Sequence, residues 1–232
     1  MLTKIFYHIL GLLVAFCLLF AVLITVTETL LYRVDGYFAK EYQKYAVTER
    51  VDMRLSDLLS VTDEMMDYLR GGREDLHVTT TMGGEQREFF NEREIAHMED
   101  VQVLFLKALS IRRICLVLGA GLLILMAATK ARMGRVLPPS LCMGTGLFFA
   151  LITALGLIIS TDFTKYFIMF HHIFFSNDLW ILDPATDMLI NIVPEGFFMD
   201  TAARIALLFG SLSLILFGVC LLLTIKNRRK VS

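Results

Sequence analysis

The sequence predicts a mainly α-helical integral membrane protein: a four-transmembrane-helix bundle with two extracytoplasmic segments that form a small cap domain. Three observations predict it. Hydrophobic residues make up 56% of the 232 positions and charged residues only 19%, whereas about a quarter of an ordinary soluble domain is charged. Four apolar stretches approach or exceed the roughly 17–25 residues that a helix needs to cross a bilayer. Lys and Arg are also unevenly shared among the connections between these stretches, which is the signature of a membrane topology. Four Pro and fifteen Gly are too few to interrupt long helices or to mark a disordered chain. The net charge of −1 excludes a uniformly basic nucleic-acid-binding surface.

Taken in order, residues 1–32 are expected to form the first span with a short cytoplasmic N-terminus. Their apolar run is long and lacks a small-x-small cleavage site, so it is expected to stay as an anchor rather than be removed as a signal peptide. Residues 33–112 form the first extracytoplasmic segment and 113–129 the second span. The uncharged core of that span is short and borrows Arg112, Arg113 and Lys130 as snorkelling ends. A cytoplasmic loop follows over 130–136, the third span over 137–160, the second extracytoplasmic segment over 161–201, the fourth span over 202–225 and a cytoplasmic tail over 226–232. Orientation follows from Lys130, Arg132 and Arg135 in one connection and Lys226, Arg228, Arg229 and Lys230 in the tail, with no acid in either. Both termini are therefore expected to be cytoplasmic. Residues 33–110 carry ten basic and sixteen acidic side chains, and 161–200 carry Lys165 against six acids, so both outer segments are acidic.

Within the first outer segment, aromatic residues alternate with charges over 32–45, as at a membrane interface. Residues 52–69 have apolar positions at helical spacing, and Gly71–Gly72 ends that helix. The polar stretch 71–84 reads as a loop or short hairpin. From Glu85 a helical pattern resumes and runs into the second span. Cys17, Cys115, Cys142 and Cys220 fall one in each span, so no disulfide can staple the outer segments. There is no CxxC motif, no Cys/His cluster and no Asn-x-Ser/Thr acceptor.

Two places can carry chemistry. Glu94-x-x-His97 sets both groups on one helical face, the spacing found in di-metal carboxylate bundles, but those need two such motifs and two further Glu. No metal or cofactor is expected. In the second outer segment, His171 and His172 lie among Phe170, Phe174, Phe175 and Trp180. On a helix, adjacent residues point about 100° apart, so one of the two histidines is a bystander to any single site. An interfacial anchoring segment accounts for the aromatics, but not for His, Asp and Asn in such apolar surroundings, where an unpaired polar group is costly.

The run Phe170-His171-x-Ile173-Phe174-Phe175, followed by Trp180, Pro184, Asp187, Leu189-Ile190 and Pro194-Glu195-x-Phe197-Phe198, resembles the signature of the bacterial lipoprotein intramolecular transacylase family. The segment Phe89-Phe90-Asn91-Glu92-Arg93-Glu94-Ile95-x-His97-Met98-x-Asp100-Val101 is similar to that family's other marked segment. With four spans and two outer segments, the likeness covers essentially the whole chain. It implies an acyltransferase of the bacterial plasma membrane, with its active site at the extracellular face. Such an enzyme takes the diacylated lipoprotein as substrate. The sn-2 acyl chain of the diacylglyceryl group on the lipoprotein's N-terminal Cys moves to that Cys α-amino group, giving a lyso-form lipoprotein. The family's two functional histidines match His97 and His171; His172 occupies a variable position.

The chemistry suits these residue types. An attacking amine must lose a proton and the departing alkoxide must gain one, which a near-neutral histidine can do in turn. His171 is the expected base and acid, and activity is expected to fall below about pH 6. His97 would orient it, relay a proton or polarise the ester. Asn91, Arg93 and Trp180 are candidate donors to the oxyanion, and Glu94, Asp100 and Asp187 are candidate supporting carboxylates. Bilayer phospholipid is the other expected partner, nucleic acid is not one, and the protein is expected to be a monomer. Two alternatives stand beside this reading: a metal-dependent membrane hydrolase using His97, His171, His172, Glu94 and Asp187, and a non-catalytic four-helix membrane scaffold or sensor.

Overall fold

A computed structural model describes residues 2–229; Lys230, one of the basic tail residues, lies outside them. Among the described residues, four helices are long and apolar enough to cross a membrane: α1 (Leu2–Arg33), α5 (Glu92–Ala128), α6 (Met133–Thr161) and α9 (Glu195–Arg229). Between them come α2 (Tyr37–Lys44), α3 (Val47–Arg50), α4 (Leu55–Leu69), the strands β1 (Thr79–Met82) and β2 (Glu85–Glu88), α7 (Phe163–Phe174) and α8 (Leu189–Ile192). The chain divides into two compact units, one of residues 1–27, 109–161 and 204–232, the other of 28–108 and 162–203. All 23 acidic side chains belong to the second unit, whereas the basic ones divide evenly, eleven to each.

The first unit is a bundle of α1, α6, α9 and the second half of α5. Leu10, Met126 and Val136 form one buried cluster, and Leu19, Phe148 and Phe209 another. Lipid-facing positions such as Val117, Ile124, Leu157, Leu207 and Leu222 stay exposed. In a bilayer such surfaces cost nothing, so association rests on close fit. Small residues supply it: a Cβ on Gly144 would lie 2.5 Å from the Ala15 Cβ, and one on Gly11 would lie 2.7 Å from the Ser140 Cβ. Gly144→Ala is therefore expected to cost about 1–3 kcal/mol of stability through overpacking. Gly218→Ala, with no atom within 4 Å of the added carbon, should leave the thermal transition in detergent unchanged, and an equal effect of the two would contradict the close packing of α1 on α6.

Helix α6 carries Pro138 and Pro139 in its second turn. Pro138 has no N–H for the Gly134 carbonyl. Asn227 Nδ2 of α9 donates to that carbonyl instead, at 2.5 Å.

The second unit is mainly helical, with one two-stranded antiparallel hairpin. Its core joins Tyr42, Leu58, Val61, Met65, Leu76, Phe89, Phe90, Met98 and Ile192. Helix α4 ends in a glycine cap: Gly71 N–H donates to Tyr68 O, Gly72 N–H to Asp67 O, and Gly71 has φ +81, a Schellman arrangement. The helical pattern expected from Glu85 is corrected here. Residues 85–88 pair with 79–82 as β2, because Gly83 and Gly84, at φ +58 and +86, make the two-residue turn that favours a hairpin. The helix starts only at Glu92 and then runs without a break through the short apolar stretch to Ala128.

Candidate functional site

Asn91 and Glu94 start α5 with a reciprocal capping box. Asn91 Oδ1 accepts from Glu94 N–H at 3.0 Å, and Glu94 Oε2 accepts from Asn91 N–H at 2.8 Å. Glu94 is fully buried, and its other oxygen accepts the Leu189 N–H from α8. Desolvation pushes its carboxyl above the usual range, while these N–H donors pull it down. Asn91 Nδ2 donates to Asp187 Oδ1 at 2.8 Å, and Asp187 Oδ2 accepts from Asp183 N–H at 2.7 Å. Donors to the Asp187 carboxylate outweigh its desolvation and hold its pKa below the ordinary value. One turn after Glu94, His97 is buried with its position fixed by this junction.

Arg93 donates to the Asp178 carbonyl, and Asn177 Nδ2 donates to Asp100 Oδ2 at 2.8 Å. Arg93 and Asp100 thus anchor the segment that delivers Trp180. Asn191 had no expected role, yet its Nδ2 donates to both Pro184 O and Asp187 O, at 2.9 and 2.8 Å. The signal for it was an amide inside the apolar run Leu189-Ile190-Asn191-Ile192-Val193.

Helix α7 is capped by Asp162, whose Oδ1 accepts from Lys165 N–H at 3.1 Å. Near its other end His171 is buried and His172 exposed. His172 still meets the Trp180 ring edge-on, at 5.1 Å. His171 Nδ1 lies 2.7 Å from the Phe167 carbonyl oxygen. A carbonyl only accepts, so Nδ1 carries the proton and the Nε2 lone pair of neutral His171 remains for another partner.

The His97 and His171 ring centroids are 6.2 Å apart, at 36° to one another. Trp180 stacks on His171 at 4.8 Å and 27°, Phe167 meets it edge-on at 4.4 Å, and Phe175 lies 5.2 Å from His97 and 5.6 Å from His171. This aromatic wall removes water, and removal of water disfavours imidazolium. His97 is pushed down to about 4 by burial, then by the neighbouring His171, with Asp100 opposing. Burial lowers His171 as well, and the His171 to Phe167 bond opposes it. Both rings are therefore neutral near pH 7.

Two buried polar atoms at this site have no hydrogen-bond partner among the described residues: His97 Nδ1 and the Trp180 indole Nε1–H. Buried polar groups are almost always paired, so two unpaired ones beside a buried histidine mark a candidate place for a ligand. The candidate oxyanion donors consequently separate. Asn91 has both ends of its amide engaged and Arg93 is bonded to a carbonyl, whereas the Trp180 N–H is free. Among the described residues no three His, Cys, Asp or Glu side chains converge on one point, and both Glu94 oxygens accept backbone N–H groups.

Four helices long and apolar enough to span a membrane, beside an acidic unit that holds two buried histidines, define a polytopic membrane enzyme. The chain belongs to the lipoprotein intramolecular transacylase (Lit) family, whose model matches residues 12–198. It is an acyltransferase acting on lipoproteins. Among solved structures, it is similar to the membrane-integral lipoprotein intramolecular transacylase Lit from Bacillus cereus, with a TM-score of 0.77 and 22% identity over 97% of this chain and 98% of that one. It is also similar to two structures of that protein with one histidine replaced. The arginine variant has a TM-score of 0.76 over 99% of this chain and 96% of that one, and the alanine variant 0.76 over 98% of each, both at 22% identity. At this identity the likeness is one of fold. No curated protein matches the chain.

Proposed function

We propose that the protein moves the acyl chain at the sn-2 position of a lipoprotein's S-diacylglyceryl group to the α-amino group of the same N-terminal cysteine. The family assignment supports the reaction class. The observation that carries the residue roles is the protonation pattern of His171: Nδ1–H donated to Phe167 O at 2.7 Å, with Nε2 left bare in a dry aromatic wall.

The α-amine attacks the sn-2 ester carbonyl, and the carbonyl oxygen becomes an oxyanion. His171 Nε2 removes a proton from the nitrogen of this tetrahedral adduct. As the adduct collapses, the amide C–N bond stays, the ester C–O bond breaks and the imidazolium returns the proton to the departing sn-2 oxygen. The product carries an N-acyl chain and a free glyceryl hydroxyl, with no water consumed. A histidine whose pKa is lowered by burial is a strong acid once protonated, which favours the second half of this cycle. His97, neutral and with Nδ1 unpartnered, hydrogen-bonds the reacting groups as a second imidazole beside His171. The Trp180 indole N–H receives the oxyanion. Nucleophile and ester belong to one molecule, so positioning supplies much of the acceleration. Asn91, Arg93, Glu94, Asp100 and Asp187 are positioning residues in this scheme.

The charge distribution supports an orientation in which both termini are cytoplasmic and segments 33–112 and 161–201, with the site, lie outside. The enzyme would work there as a monomer in bilayer phospholipid.

The test is to incubate purified protein in lipid with a synthetic diacylated lipopeptide and map the acyl chains by mass spectrometry. An N-acyl, lyso-glyceryl product is expected, and blocking the α-amine should abolish it. Folded protein that yields only free fatty acid, or nothing, would overturn the proposal. Trp180→Phe keeps an aromatic ring over His171 and deletes the donor. It is expected to lower kcat by about 10²–10³, the range for loss of one oxyanion donor, with KM nearly unchanged. An unchanged kcat would remove Trp180 from this role.

A further inference from the structure

A second polar site lies within the first unit, among the spanning helices. His8 of α1, Gly134, Arg135 and Pro139 of α6, and Thr224, Asn227 and Arg228 of α9 line a cavity of about 330 Å³, at the lower end of the roughly 300–1,000 Å³ of small-molecule sites. Two guanidinium-bearing residues border it. No acidic residue exists anywhere in the 1–27, 109–161 and 204–232 stretches that make this unit. The unit therefore contributes no Asp or Glu side chain to neutralise these arginines.

The remaining polar groups narrow the ligand. Asn227 is occupied by the Gly134 carbonyl that Pro138 leaves open, so it braces the wall. Ser140 Oγ donates its single hydrogen to Val136 O at 2.8 Å, so it must accept from His8 Nδ1–H at 2.9 Å. In the neutral ring, His8 is then left with Nε2 as an acceptor. The complementary ligand is an anion that also bears a hydroxyl. One turn further into the apolar span, Met143 lies on the same α6 face as Pro139 and Leu221 on the same α9 face as Thr224; they are 49% and 41% exposed. An apolar track thus leaves a basic cavity, the arrangement that suits an amphiphile with an anionic head.

We propose that this cavity binds the phosphodiester headgroup of an anionic membrane lipid of the phosphatidylglycerol type. The phosphate lies between Arg135 and Arg228, a glycerol hydroxyl reaches His8 Nε2, and an acyl chain follows Met143 and Leu221. The site is separate from the histidine pair, and its occupancy does not depend on transacylation.

Native mass spectrometry of the full-length protein from detergent micelles tests this with three probes: phosphatidylglycerol, phosphatidylcholine and water-soluble glycerol phosphate. One tightly held phosphatidylglycerol is expected, preferred over phosphatidylcholine about thirtyfold, from roughly fivefold for each of two basic side chains. The Arg135→Gln/Arg228→Gln double variant should lose that preference while keeping wild-type helical circular dichroism. Should that variant misfold, Arg135→Lys/Arg228→Lys, which keeps the charge, should bind phosphatidylglycerol above phosphatidylcholine. Arg113→Gln, outside the cavity, should bind as wild type. Equal retention of the two lipids by wild type, unchanged preference in a folded double glutamine variant, or displacement of the lipid by equimolar glycerol phosphate would overturn the proposal.

Discussion

His171→Ala is expected to lower lipopeptide turnover by about 10²–10⁴, the range that positioned acid–base catalysis contributes. The thermal transition should persist, because the ring packs on aromatic neighbours but ties no distant backbone together. Among the described residues, its side-chain polar bond is to Phe167 within the same helix. Mass-spectrometric product counts at matched protein concentration check this, and a variant within a few-fold of wild type would remove His171 as the proton carrier. The pH profile supplies an independent reading. The proposed mechanism requires neutral His171, and burial lowers its pKa, so the acidic fall should come below the ordinary histidine value of 6.5. His97, at about 4, stays neutral through that fall. The unfolded chain takes up a proton at His97 near pH 6.5 that the folded chain refuses until about 4. This group's contribution to stability is therefore lost as the pH drops through that window. A rate falling already at pH 7 would contradict the dry environment of His171.

Glu94→Ala is expected to be the most damaging single change to the folded unit. It strands the buried Leu189 N–H, at about 1–3 kcal/mol for an unsatisfied buried donor, and removes the capping bond to the part-buried Asn91 N–H, at about 0.5–2 kcal/mol, for a total of roughly 1.5–5 kcal/mol. Because the same carboxylate fixes the start of α5 and the start of α8, activity should be lost along with stability. Glu94→Gln discriminates between a capping and a metal-ligating role. Its amide oxygen can accept one N–H, but its amide NH₂ opposes the other, so partial stability and partial activity are expected, insensitive to added zinc. Recovery of the variant by metal, measured by thermal melt and by turnover, would contradict the capping role.

The spans and the charge asymmetry were legible in the sequence because both follow from composition within a short window. The helix start at Asn91 was legible in principle: Asn91-x-x-Glu94 is a capping box, though the same Glu94 also forms the metal-like spacing Glu94-x-x-His97. Choosing between them needed Leu189, 95 residues away, whose N–H closes the carboxylate's second oxygen. Residues 85–88 misled because Glu, Gln and Arg favour helix locally, while the Gly83–Gly84 turn imposes a hairpin. The fates of Asn91, Arg93 and Trp180 depended on the path of the chain from 176 to 191. That path is set by long-range bonds to Asp100, Arg93 and Asn91, which no local pattern announces. The two histidines were expected from a resemblance, and their spatial approach required tertiary structure.

The bond from His171 Nδ1 to Phe167 O gives the proton a fixed address one helical turn back in the chain. That carbonyl is also the partner that the helix ladder assigns to the His171 backbone N–H, so one oxygen serves both the secondary structure and the tautomer. Fraying the last turn of α7 would free Nδ1 and let the imidazole exchange its two protonation forms. In the proposed mechanism Nε2 would then be protonated part of the time, and so less able to accept the amine proton. The tautomer of His171, and with it the role proposed for Nε2, is in this sense tied to the order of a helix end.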